Sequence, residues 1–318
     1  MKKILGVVTL LFMILILVPE AHSLSYTFTT LDVPGAEITQ AKGLNDAGLV
    51  VGRYFDASGM RHGFLYNDNT STYTTIDFPG VDTWTGLHQI NNSGMMIGSY
   101  IGSDSYTHGF LYDLTTDIYT SFDHPDAIWS TAGYDINNLG VVSGAYTDIF
   151  GVQHGFTYDG STYSTVDFPG AVQTDVHGVN ASGLMVGRYT DGGGVQHGFT
   201  YDGSDYTSID GPVGAIRSQT KGINASGLIV GSYRDSLNVR HGFLLDGTDY
   251  TPIDVPGAMA TETHSINNAG WIVGKYTDAF GVEHGYLGKP ASVPEPSTLL
   301  LLGSALAGLA VVRRKFKV

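Results

Sequence analysis

His177-Gly178-Val179-Asn180-Ala181-Ser182-Gly183-Leu184-Met185-Val186-Gly187-Arg188-Tyr189 begins a unit of four short strands. His177 to Asn180 is the first strand. Asn180 to Gly183 is a hairpin turn, with Asn suited to its first position and Gly to the left-handed one. Leu184 to Tyr189 is the second strand, and Asp191 to Gly194 turns the chain. Gln196 to Tyr201 is the third strand, Asp202-Gly203 turns again, and Tyr206 to Asp210 is the fourth. Pro212 then ends the ladder, because proline cannot donate to it. We call the four strands a, b, c and d.

The unit recurs. His-Gly appears at His62, His108, His154, His197, His241 and His284, at spacings of 46, 46, 43, 44 and 43 residues. Asn-x-x-Gly keeps step from Asn45, Asn91, Asn137, Asn180, Asn224 and Asn267, and so does Gly-x-Tyr with Tyr54, Tyr100, Tyr146, Tyr189, Tyr233 and Tyr276. Four strands in such a period are those of a propeller blade. The array opens on a d strand at Tyr26 and ends on a c strand at His284-Gly285-Tyr286-Leu287. Pairing the two closes the ring without a long bare edge. The expectation is an all-β, six-bladed β-propeller over residues 24–288, closed by residues 26–32. The unit resembles the HAF-type extracellular repeat over residues 41 to 287, through Asn-x-x-Gly, the Val/Ile-Val-Gly strand and His-Gly-Phe-Leu-Tyr. Gly63, Gly109, Gly155, Gly198, Gly242 and Gly285 stand where that family has Ala, and the resemblance brings no catalytic residues.

The ends read as an address. Residues 1–23 form a signal peptide: Lys2 and Lys3, an apolar run, the break at Pro19, and small residues at Ala21 and Ser23 for signal peptidase. Residues 289–297 are a linker holding Pro294-Glu295-Pro296. Residues 298–312 are an apolar helix for the membrane, and residues 313–318 a basic tail with Arg313 and Arg314 that stays cytoplasmic. Motif, helix and tail resemble the PEP-CTERM sorting signal. That resemblance implies an exosortase, an inner-membrane-anchored precursor, and then the cell surface or the extracellular matrix.

The 318 residues hold 16 Lys+Arg against 30 Asp+Glu, a formal −14. Six of the basic residues lie in the two end segments, so the stretch between is more acidic still. Phosphate backbones need a basic footprint, so nucleic acid is excluded. No cysteine means no disulfide and no thiolate site. The repeated histidines occupy equivalent places around a ring, and metal ligands must converge on one ion, so we expect a structural role and no metal. The Asp-x-x-Gly turns at Asp56, Asp148, Asp191 and Asp278 supply one carboxylate each. Calcium wants about 6–8 oxygens, so turn chemistry is the better account.

Two places can converge. Strand a carries Lys42, His88, Tyr134, His177, Lys221 and His264, beside a column of Gly43, Gln89, Asp135, Gly178, Gly222 and Ser265. One of the two columns lines the channel. The first would make a ring receptive to anions or sugar acids. The d-to-a loops differ between repeats, and Asp82, Trp84, Asp126 and Trp129 lie there as a candidate glycan rim. Glu37, Asp82, Asp126, Asp175 and Glu262 are the acid/base pool, all expected in those loops. No Gly-x-Ser-x-Gly, His-Glu-x-x-His or phosphate loop occurs. The expectation is a non-catalytic surface or matrix module without a cofactor. Signal peptidase and exosortase would process it, and exopolysaccharide is its candidate partner. The alternative is a carbohydrate-active hydrolase or lyase using rim carboxylates.

Overall fold

The computed structural model describes residues 25–81 and 84–291, which form 24 strands and no helix. The signal peptide, the sorting motif, the apolar segment and the basic tail lie outside the described residues. Among the described residues no helix is long and apolar enough to cross a membrane.

The first strand, β1 (Tyr26–Leu31), does not pair with its neighbours in sequence. Next come β2 (Ile38–Leu44), β3 (Leu49–Phe55), β4 (Arg61–Asn67) and β5 (Thr72–Thr75), which form one antiparallel sheet in chain order. The next eight strands share a single sheet. They are β6 (Thr85–Ile90), β7 (Met95–Ile101), β8 (Thr107–Asp113), β9 (Ile118–Phe122), β10 (Ser130–Ile136), β11 (Val142–Thr147), β12 (Gln153–Tyr158) and β13 (Tyr163–Val166). Two further four-stranded sheets follow: β14 (Gln173–Val179) to β17 (Tyr206–Ile209), and β18 (Arg217–Ile223) to β21 (Asp249–Ile253). In them β15 is Met185–Thr190, β16 Gln196–Tyr201, β19 Ile229–Arg234 and β20 Arg240–Asp246. The last sheet holds β22 (Ala260–Ile266), β23 (Ile272–Thr277) and β24 (Glu283–Pro290), with β1 added outside β24 from Tyr26↔Pro290 to Leu31↔Gly285.

The expectation of six separate blades is therefore corrected. Four four-stranded blades stand alone, and the other eight strands are one sheet. The cause is local. Trp129 packs edge-on against Tyr106, ring centroids 5.6 Å apart, and lays Ser130 beside Thr107 as a parallel pair between β10 and β8.

Each unit is built on a fully buried ring in strand c: Phe64, Phe110, Phe156, Phe199, Phe243 or Tyr286. Burying such a ring is worth about 1.5–3 kcal/mol. The ring lies under a strand-b glycine. At Gly52 a Cβ would overlap the Gln40 carbonyl and come within 2.8 Å of Phe64, which is why Val-Val-Gly recurs. The Asn-x-x-Gly turns do more than reverse the chain. Asn45 Oδ1 accepts from the backbone N–H of Ala47 and Leu49, both at 3.0 Å, and its Nδ2 donates to the Asn91 carbonyl at 3.2 Å. Asn91 donates to Asn137, Asn137 to Asn180, Asn180 to Asn224, Asn224 to Asn267, and Asn267 back to Asn45. The six asparagines form a closed circle of hydrogen bonds around the axis.

Candidate functional site

Every a strand loses register at one residue: between Ala41 and Gly43, Leu87 and Gln89, Gly133 and Asp135, Val176 and Gly178, Thr220 and Gly222, and Thr263 and Ser265. The residues stepped over are Lys42, His88, Tyr134, His177, Lys221 and His264. A bulge leaves its extra residue unpaired and re-aims its side chain. All six line one cavity of about 280 Å³, together with Arg53 and Arg188 from strand b.

The second column reaches the axis as well. Gln89 Nε2 donates to Ser265 Oγ at 2.8 Å, passing over Gly43, where a Cβ would overlap the Gln89 amide. Asp135 Oδ2 accepts from the Val179 N–H at 2.8 Å, and burial pushes its carboxyl up to about 6. This layer is a floor between the cavity and the asparagine circle. The choice between two columns had assumed an unbroken period of two, and the bulge brings in both.

The cavity is cationic in an acidic protein. Lys221 and Arg240 both contact Glu262, and His264 Nε2 lies 3.3 Å from the same carboxylate. Burial works against Glu262, but Lys221, His264 and Arg240 outweigh it and hold its carboxyl well below the usual range. Arg188 Nε lies 2.6 Å from Asp175 Oδ2, and that carboxylate raises the guanidinium against its burial. Burial, then neighbouring cations, press His88, His177 and His264 well below the usual imidazole value, so they are neutral at pH 7. A neutral imidazole both donates and accepts. Burial and Arg53 also lower Lys42. The arrangement suits an anion that also carries hydroxyls.

The acid/base pool is corrected in part. Asp175 and Glu262 lie within β14 and β22, not in loops, and both are ion-paired at the axis. Glu37 and Asp126 are exposed on the d-to-a loops. Asp82 lies outside the described residues. Trp129 is 48% exposed against Tyr106. Trp84 is half-buried, with the Arg61 guanidinium over its ring. The two tryptophans thus stand in different surroundings, one open and one packed.

The repeated histidines form clamps on the same rim. His62 Nδ1 lies 2.7 Å from Asp77, its Nε2 3.5 Å from Asp56, and its ring stacks on Tyr54 at 5.0 Å. His108, His154, His197, His241 and His284 repeat this with their own pair of aspartates. The turn aspartates also accept their own backbone: Asp56 Oδ1 takes Ser58 N at 2.8 Å and Met60 N at 2.9 Å. Among the described residues no group of three or more such side chains is placed to hold a metal ion.

Residues 292–315 match the PEP-CTERM protein-sorting motif. The motif implies export, membrane-associated sorting and processing by exosortase. Among curated proteins none matches the chain. Solved structures do. AofleA from Arthrobotrys oligospora aligns at TM-score 0.53 and 10% identity, over 85% of this chain and 91% of that one. The Aleuria aurantia lectin, a fungal lectin described with a six-bladed propeller fold and a fucose recognition mode, gives 0.50 and 10%, over 84% and 100%. The propeller domain of the Trilobed protease from Pyrococcus furiosus gives 0.50 and 9%, over 80% and 79%. At these identities the likeness shows the fold alone, a β-propeller. The HAF-type likeness has no support in these comparisons.

Proposed function

We propose that this chain is an exported binding module of the cell surface or extracellular matrix, holding an anionic glycan-type ligand without transforming it. The observation that carries this reading is the axial cavity of about 280 Å³ lined by four cationic side chains, three histidines and a tyrosine. Ligand pockets of this kind pair a shaped space with a few convergent polar groups. The sorting motif supports a place outside the cell, where the producing cell's own exopolysaccharide is the candidate partner.

One observation favours a second reading, a hydrolase or lyase. Asp175 Oδ1 is buried with no hydrogen-bond partner. A paired-carboxyl mechanism needs a second carboxyl about 5–10 Å away and one of the two protonated. Burial raises the Asp175 carboxyl against the pull of Arg188, while Glu262 is held well below the usual range. Both carboxylates are engaged by cations in ion pairs, Asp175 by Arg188 and Glu262 by Lys221 and Arg240, so binding is the better reading.

The test is co-sedimentation of the full chain, purified in detergent, with that exopolysaccharide, while new reducing and unsaturated ends are measured. Binding without new ends is the expected result. New ends would sink the non-catalytic reading, and a folded protein that does not bind would sink the module itself.

A further inference from the structure

The cations around the cavity are unevenly compensated. Arg188 has Asp175, Lys221 and Arg240 share Glu262, and Lys275 has Glu283. Lys42 and Arg53 contact no carboxylate among the described residues. Lys42 Nζ lies 3.2 Å from His264 Nε2. Arg53 Nε donates to Gln40 Oε1 at 2.7 Å, and its two terminal nitrogens make no hydrogen bond among the described residues.

The register shows what is missing. Asp175 faces Arg188 across β14 and β15, and Glu262 faces Lys275 across β22 and β23. At the same place in β2 and β3, Gln40 faces Arg53. This repeat keeps the cation and has an amide where the two other repeats with a cation here have a carboxylate. The following repeat has Gly86 opposite Ser99, with the buried Arg61 guanidinium against Gly86, so that side brings a further cation and no carboxylate. Glu283 on the other side is bonded to the Gln40 amide, and among the described residues it makes no direct contact with Arg53. An uncompensated cation in a partly desolvated site is costly unless something anionic completes it.

Opposite this vacancy in charge stands a wall of neutral rings. His88 and Tyr134 are 5.7 Å apart, and Tyr134 and His177 are 5.0 Å apart. Their polar atoms match hydroxyls and their faces match the C–H side of a sugar ring. Resting on the binding-module reading above, we infer that the cavity takes a hydroxylated carboxylate of monosaccharide size, a hexuronate or similar sugar acid. Its carboxylate lies between Lys42 and Arg53, and its ring lies against His88, Tyr134 and His177. A guanidinium fork grips a carboxylate through two parallel hydrogen bonds.

Calorimetry on the full chain in detergent tests this, with glucuronate as the probe and glucose, acetate and inorganic phosphate as comparisons. Glucuronate should bind at least about tenfold more tightly than the other three, and Arg53→Gln should weaken it by about tenfold or more. Gln40→Glu rebuilds the pair seen at Asp175 and Arg188. It should still fold, with a lower Tm because the Gln40 amide no longer donates to Glu283 Oε2 at 2.5 Å, and lose glucuronate. Unaltered glucuronate binding in both variants would overturn the inference. So would phosphate binding more tightly than glucuronate. If the wild type binds exopolysaccharide but not glucuronate, this inference fails and the module reading stands. If it binds neither, both fail.

Discussion

Replacing Asn91 by alanine tests whether the asparagine circle holds the ring together. Asn91 is buried. Its Oδ1 accepts from Ser93 N at 3.1 Å, Ser93 Oγ at 2.8 Å and Met95 N at 3.0 Å, and its Nδ2 donates to the Asn137 carbonyl at 3.1 Å. The Ser93 hydroxyl is free to turn to water, so three bonds count. At about 1 kcal/mol for each, Asn91→Ala should cost about 3 kcal/mol, more if the Asn137 carbonyl is left dry. Asn92 is the control. It is exposed, and its amide reaches Asp46 in a second, outer set of bonds. Asn92→Ala should cost less than about 1 kcal/mol. The assay is urea unfolding followed by tryptophan fluorescence, with both variants measured beside the wild type. Equal losses in the two variants, or a loss below about 1 kcal/mol in Asn91→Ala, would refute the claim that the circle carries stability.

The histidine clamps make stability depend on pH. Burial lowers His62, His108 and His154, but their aspartates outweigh it and all three are raised. Their contribution is full below the unfolded value of about 6.5 and is lost as pH rises through the raised folded value. Asp56, Asp104 and Asp148 are lowered, so theirs is present above about 3.9 and lost as pH falls through the depressed folded value. The urea midpoint should therefore exceed that of His154→Gln most between about pH 4 and 6.5, and parallel pH profiles would contradict this. Gly63→Ala should cost about 1–3 kcal/mol in the same unfolding assay through overlap with Ile76. Gly198→Ala, where a Cβ would stand 3.0 Å from the Ile209 carbonyl, should cost less. Trp129→Ala removes the edge-on contact with Tyr106 and should cost about 0.5–1.5 kcal/mol. Trp84→Ala uncovers a buried guanidinium and should cost about 1–2 kcal/mol.

Much of the framework was legible because each marker residue answers a local need. Gly52 and its equivalents admit the strand-c ring, Asn45 and Gly48 make the turn, and a lone d strand at Tyr26 needs a c strand to pair with. What escaped was not local. Sheet membership turned on one pair, Ser130 and Thr107, set by an aromatic contact between different repeats. The asparagine circle joins residues 43–46 positions apart, and 222 apart at its closing bond, and nothing near Asn91 marks a bond to Asn137. The six residues from Lys42 to His264 stand out in the sequence as one polar column, but the alternation of a regular strand hides the bulge that aims them. Asp175 and Glu262 were placed in loops because each a strand begins earlier than its alternation suggests. Their place opposite Arg188 and Lys275 is what makes the amide at Gln40 informative.

The closing pair of strands also decides which way the molecule points. β24 runs from the rim of histidine clamps to the face of the asparagine circle, where Tyr26 Oη donates to the Gly270 carbonyl at 3.1 Å and Ala291 N to the Ser25 carbonyl at 2.8 Å. Both ends of the described chain leave together from that face, and Lys289 is fastened there to Asp68 at 2.6 Å. Chain that continues past Ala291 therefore joins the propeller on the asparagine face, at the opposite end of the strands from the rim that carries Trp129. The sorting motif begins at residue 292, and the six paired positions between β1 and β24 all lie upstream of it, so processing within the motif leaves the closing pair intact.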